Sequence, residues 1–191
     1  RSSDDIVERF QARMSVLSEL GYVARWSLTS RGERLRRVYN ELDLLLTEVA
    51  EDGVFDDLTP AEFAAVASTF TFEPRRADPD EVLLVGVVAE RFGQVEAAWR
   101  TVSALEDRYR VPATRAPGAG FAPFAYGWVS GADLEELFGE DEFAAGDFVR
   151  NCRQLLDLMR QIRDAFPALA AVAGSAISAT DRGIVAVGGR A

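Results

Sequence analysis

GDFVRNCRQLLDLMRQIRDAF, residues 146–166, sets Phe148, Leu155, Met159 and Ile162 at helical spacing, with Cys152 on the shoulder of that face. At about 100° per residue, Arg150, Arg153, Arg160 and Arg163 fall on the opposite arc. Pro167 predicts the end of the helix. Spacing of this kind recurs along most of the chain.

Upstream, ADLEELFG and FAYGWVSG read as two short helices, with VPATRAPGAGFAP before them as a long loop dense in Pro and Gly. Residues 80–110 form a helical stretch from Asp80 through Leu84, Val87, Phe92, Val95, Trp99 and Val102. In LTPAEFAAVASTF, Thr59 predicts an N-cap, Pro60 the first helical position and Glu62 the closing member of a capping box. Pro74 is expected to stop that helix, with Glu73, Arg75 and Arg76 at its end. Leu35, Val38, Leu42, Leu45 and Val49 predict one long helix over 33–52, ended by Gly53. A first helix over 4–20, capped by Asp4 or Asp5, carries Ile6, Phe10, Met14, Leu17 and Leu20 and stops at Gly21. Between these two helices YVARWSLT alternates as a short hairpin would. Helix, hairpin and helix together match the tail of a winged helix. A last helix runs from about 168 to 186. The reading is all-α, roughly eight helices in a bundle with one β-hairpin near the N-terminus.

Composition closes several functional classes. The 191 residues contain no histidine and no lysine, so all 21 basic residues are arginine. His-based triads, most zinc sites, a P-loop lysine and Schiff-base chemistry are thereby absent. Cys152 is the single cysteine, which excludes an intramolecular disulfide and points to a reducing cytoplasm; its place in the pattern makes it a small core residue. No apolar run approaches the length of a membrane span. The start at Arg1, directly into a helical pattern, suggests a piece of something longer. A net charge of −10 argues against a general nucleic-acid coat but leaves room for one basic edge.

Glu135, Glu136, Glu140, Asp141 and Glu142 lack calcium-loop spacing and read as a solvated acidic face beside short helices. GVVAERFG and GAGFAPFAYG do not join a strand to a helix as a phosphate loop must. That leaves the four arginines. Arg153 with Asp157 and Arg160 with Asp164 are spaced i,i+4, and Asp147 can reach Arg150 at i,i+3. Such pairs contribute only about 0.2–0.5 kcal/mol each, and on composition the solvated reading is favoured over a binding face.

The ordered segments LSELGYV, LTSRGERLRRVYNELDLLLTEVAEDGVFDDLTPAEFAAVASTFTFEPRR, FAPFAYGWVSGADLEELF, AAGDFVRNCRQLLDLMRQI and DRGIVA resemble the DSHCT domain. This is the C-terminal helical domain of exosome-associated DExH-box RNA helicases and their actinobacterial relatives. The resemblance runs from about residue 15 to 186. It implies a ratchet-type bundle at 33–191 preceded by the end of a winged-helix segment at 1–32. It further implies two upstream RecA-like motor domains that hold ATP and magnesium, and no cofactor in this fragment. The expected role is to guide single-stranded RNA leaving the motor during 3'-to-5' unwinding. By the same resemblance, Glu73 in TFTFEPRR and Arg150, Arg153 and Gln154 in GDFVRNCRQ are the expected RNA contacts. Relatives often place two adjacent bases where this chain has Arg153 and Gln154. The alternatives are a bundle that docks a nuclease or other protein partner, and the same role in a DNA helicase.

Overall fold

Residues 2–73, 82–139 and 142–187 are described by the computed structural model; the expected stop at Pro74, the helix start at Asp80, and Arg75, Arg76, Glu140 and Asp141 lie outside them. The first helix, α1, spans Ser2–Glu19. It closes with the Tyr22 N–H donating to the Leu17 carbonyl at 2.8 Å across Gly21, whose φ of +79° suits glycine. Val16 is buried, whereas Ile6 and Phe10 on the same helix are exposed. Strands β1 (Val23–Ala24) and β2 (Ser27–Leu28) then pair antiparallel as the expected hairpin.

Helix α2 covers Ser30–Leu35, with Thr29 Oγ1 accepting from the Gly32 N–H, and α3 covers Asp43–Glu51. The single helix expected over 33–52 is therefore two helices with a turn between them. The apolar spacing is continuous, but Asn40 Oδ1 captures the Leu42 N–H at 2.8 Å, and such side-chain capture competes with the helical ladder. The Tyr39 N–H is likewise taken, by Gln161 Oε1 at 2.6 Å. Val38 and Leu42 remain buried, so the broken segment still serves the core.

Helix α4, Pro60–Ser68, begins with the expected capping box: Thr59 Oγ1 accepts from the Glu62 N–H, and the Glu62 carboxylate accepts from the Thr59 N–H. Every residue from Phe63 to Ser68 is buried. A helix apolar all round belongs at a centre. The next helix, α5, spans Gly86–Tyr109 and is preceded by extended backbone at Val85, so it starts later than Asp80. Helices α6 (Ala122–Val129), α7 (Leu134–Phe138), α8 (Glu142–Ala165), α9 (Ala170–Thr180) and α10 (Gly183–Val187) follow. Central α4 packs against α5, α6, α8 and α9, and α1 and α3 pack on α5.

The expected helix over 168–186 is broken at Asp181 and Arg182. The Arg182 guanidinium donates to the Trp128 and Ala132 carbonyls at 2.7 and 2.6 Å and lies 3.7 Å from the Trp128 ring centroid. Trp128 Nε1–H in turn donates to the Thr180 carbonyl at 2.9 Å, so the turn is clamped from both sides. The fold is an all-α bundle of ten helices among the described residues, with one small hairpin.

Candidate functional site

On α8 the side chains of Asp147, Arg150, Gln154, Asp157 and Gln161 recur at i, i+3, i+7, i+10 and i+14 and form one polar stripe. The stripe is one wall of an open groove of about 840 Å³. Its other wall is Tyr39–Glu41 from the turn before α3 and Phe70–Glu73 from the residues after α4, with Arg115 joining the two segments. Three expected contact residues, Glu73, Arg150 and Gln154, thus line one groove. Arg153 is exposed but lies about 60° around the helix from Arg150, outside the lining.

Arg115 organises the far wall. It donates to the Phe70 carbonyl at 2.9 Å and the Phe72 carbonyl at 3.4 Å, satisfying acceptors just past the end of α4. The same guanidinium pairs with Glu41 at 3.0 Å and Glu73 at 3.2 Å. Its hydrogen bond holds the Glu41 carboxyl below the usual carboxylate range. Glu73 reaches the groove already anchored by its pair with Arg115. The chain enters and leaves this wall closely: a Cβ on Gly120 would fall 2.3 Å from the Phe72 ring, so only glycine fits without displacing that ring.

The arginines of α8 divide. Arg150 pairs with Asp147 at 3.4 Å, as its spacing anticipates. The expected Arg153–Asp157 and Arg160–Asp164 pairs are not formed. Asp157 instead bonds Arg160 at 3.0 Å, and Asp164 bonds Arg163 at 2.8 Å. Both acids had an arginine at i+3 or i−1 within reach, and the exposed side chains took the shorter route. Arg153 is left without a partner among the described residues.

Tyr39, Asn40, Arg115 and Gln161 escaped the sequence reading. Tyr39 and Asn40 lay inside an expected helix, Arg115 inside an expected loop, and nothing local links either segment to Gln161. Glu135 and Glu136 sit in the first turn of α7, where Glu136 forms a second capping box with Asp133. No group of three or more acidic, Cys or His side chains among the described residues could hold a metal ion. Cys152 is buried, and burial pushes its thiol up to about 12. No described helix is long and apolar enough to cross a membrane.

A second polar cluster serves the fold. The Tyr22 hydroxyl donates to Glu48 Oε1 at 2.5 Å, Arg31 reaches the same oxygen at 3.0 Å, and Arg31 lies 5.2 Å from the Tyr22 ring centroid. With Arg34 paired to Glu51, this cluster fastens the hairpin and α2 to α3.

The sequence profile described as the DSHCT (NUC185) domain matches residues 25–187. The chain is 37% identical over 174 residues to "Probable helicase HelY" of Mycobacterium leprae, covering 84% of this chain and 19% of that protein. It is 26% identical over 168 residues to "Superkiller complex protein 2" of Homo sapiens, covering 84% and 13%. It is also 24% identical over 164 residues to "ATP-dependent RNA helicase mtr4" of Schizosaccharomyces pombe, covering 83% and 15%. The chain spans about a fifth or less of the length of these relatives.

Proposed function

The chain belongs to the DSHCT (NUC185) domain family, and from that premise we propose that it is the C-terminal helical domain of an ATP-dependent RNA helicase and guides single-stranded RNA away from the motor. The observation that carries this reading is the convergence of Glu73, Arg150 and Gln154, from separate segments, on one open groove. Arg150 and Gln154 contact the strand from α8, Glu73 from the opposite wall, and Arg153 meets a flanking phosphate at the groove's edge. A translocating motor needs contacts that are sequence-blind and easily broken. Two exposed arginines at and beside the groove, on a body of net charge −10, meet that requirement better than a broad basic face would. ATP and magnesium act in motor domains elsewhere in the parent protein, since this chain has no lysine to serve a P-loop.

The test is unwinding of a 3'-tailed RNA duplex by the full-length parent carrying Arg150→Ala with Arg153→Ala. Unwinding is expected to fall several-fold while the circular dichroism spectrum is unchanged. Wild-type unwinding together with wild-type RNA-stimulated ATPase would refute the assignment. Repeating the assay on a DNA duplex separates an RNA from a DNA role.

A protein-docking role has one observation in its favour. Ile6, Val7 and Phe10 are more than half exposed on α1 and do not line the groove that holds Arg150. Crosslinked RNA mapping to the groove decides for the first reading. Absence of RNA adducts on this domain in a parent whose motor domains do crosslink decides for the second.

A further inference from the structure

Tyr39 stands at the lip of the groove with 81% of its surface exposed. An aromatic ring so exposed is usually left loose, but this one has a fixed base. Its own N–H is held by Gln161 Oε1 at 2.6 Å, the next residue's Asn40 Oδ1 holds the Leu42 N–H at 2.8 Å, and Val38 before it is buried. The ring is thus presented to solvent from a backbone tied to both α8 and α3, which lowers the ordering cost of any ligand that stacks on it.

The charges around it argue against phosphate as the ligand of the groove floor. Both arginines lining the groove are already paired, Arg150 with Asp147 and Arg115 with Glu41 and Glu73. Counting Asp157, the lining holds four acids against these two arginines. A phosphodiester entering here would meet more negative charge than positive. A nucleobase is neutral. Its flat face matches the Tyr39 ring, and its polar edge matches Gln154, an exposed amide with no hydrogen bond among the described residues.

We infer that Tyr39 is a stacking platform for a single unpaired nucleobase, with Gln154 facing the base edge and the sugar-phosphate chain turned outward toward Arg153. The inference rests on the groove being the strand contact and adds how the strand is held. Stacking on an aromatic is sequence-tolerant and releases no counterions, so this contact is blind to sequence and persists in salt.

The experiment uses the full-length parent protein and two single-stranded probes of equal length, an oligoadenylate and an abasic ribose-phosphate oligomer, with binding followed by fluorescence anisotropy. Tyr39→Ala is expected to weaken oligoadenylate binding about fivefold or more, the lower end for loss of one base stack. Tyr39→Trp is expected to restore it, and neither change is expected to alter binding of the abasic oligomer. The loss should be the same at low and high salt. If Tyr39→Ala leaves oligoadenylate binding intact, or weakens both probes equally, the stacking role is overturned. Arg150→Ala with Gln154→Ala, run in parallel, separates the two levels. If that pair weakens binding while Tyr39→Ala does not, the groove stands and the platform falls. If none of the three changes binding, the groove reading fails as well.

Discussion

Replacing Arg115 by methionine keeps the aliphatic stem and removes the guanidinium that holds the groove's far wall. The short bond to the Phe70 carbonyl, 2.9 Å, is a charged hydrogen bond worth about 1.5–3 kcal/mol, and the 3.4 Å contact to the Phe72 carbonyl adds little. The ion-pair partners Glu41 and Glu73 are about two-thirds exposed, which limits each pair to about 0–1 kcal/mol. Arg115→Met is therefore expected to lower the unfolding free energy by about 1.5–5 kcal/mol, measured by urea titration at unchanged slope. The control is Glu41→Gln with Glu73→Gln, which removes both ion pairs but keeps the carbonyl bonds and is expected to cost about 0–2 kcal/mol, less than Arg115→Met. Acid adds a second check. Arg115 depresses the folded-state pKa of Glu41, so that part of the stability is present above the unfolded value of about 4.3 and is lost as pH falls through the lower folded value. The difference between wild type and Arg115→Met should narrow over that acid range. If the double glutamine variant costs as much as Arg115→Met, the carbonyl anchor is not what holds the wall and the reasoning is wrong.

Tyr22→Phe is expected to cost about 1.5–3 kcal/mol, because it removes the hydrogen bond to a buried carboxylate. Burial raises the Glu48 pKa and the Tyr22 bond opposes that rise, so the deficit should be largest near neutral pH and shrink in acid as Glu48 protonates; urea curves at the two pH values check this. Cys152 should resist iodoacetamide in the native protein, since its thiol is buried and pushed up to about 12, and should react on addition of urea. Rapid native alkylation would show that α8 opens locally without global unfolding.

Much of the helical content was legible because its signals are local. Thr59, Pro60 and Glu62 lie within one turn, and their capping box depends on nothing distant. Pro167 ended α8 where the pattern said it would, at Ala165. The errors came where a distant partner outbid the local pattern. The apolar spacing from Leu35 to Val49 is as regular as that of α8, yet Asn40 and the remote Gln161 take the N–H groups that a continuous helix needs. Likewise 168–186 reads as one helix until Arg182 is drawn to carbonyls of Trp128 and Ala132 some 50 residues earlier. Ion pairing on α8 followed neither i,i+4 expectation, because exposed pairs differ by only tenths of a kcal/mol and rotamer choice settles them.

Taken alone, the residues determined the helical class, the apolar face of α8, the buried state of Cys152 and the absence of histidine and lysine chemistry. All of these follow from periodicity or composition, which are properties of neighbouring residues or of the whole count. Tertiary structure decided where each arginine sits. It placed Arg150 and Gln154 across from Glu73, left Arg153 on the outer edge, and brought Tyr39 and Arg115 from segments far apart in sequence to complete the groove. A groove is a relation between surfaces that meet only once the core has closed. No spacing along one helix encodes the other wall.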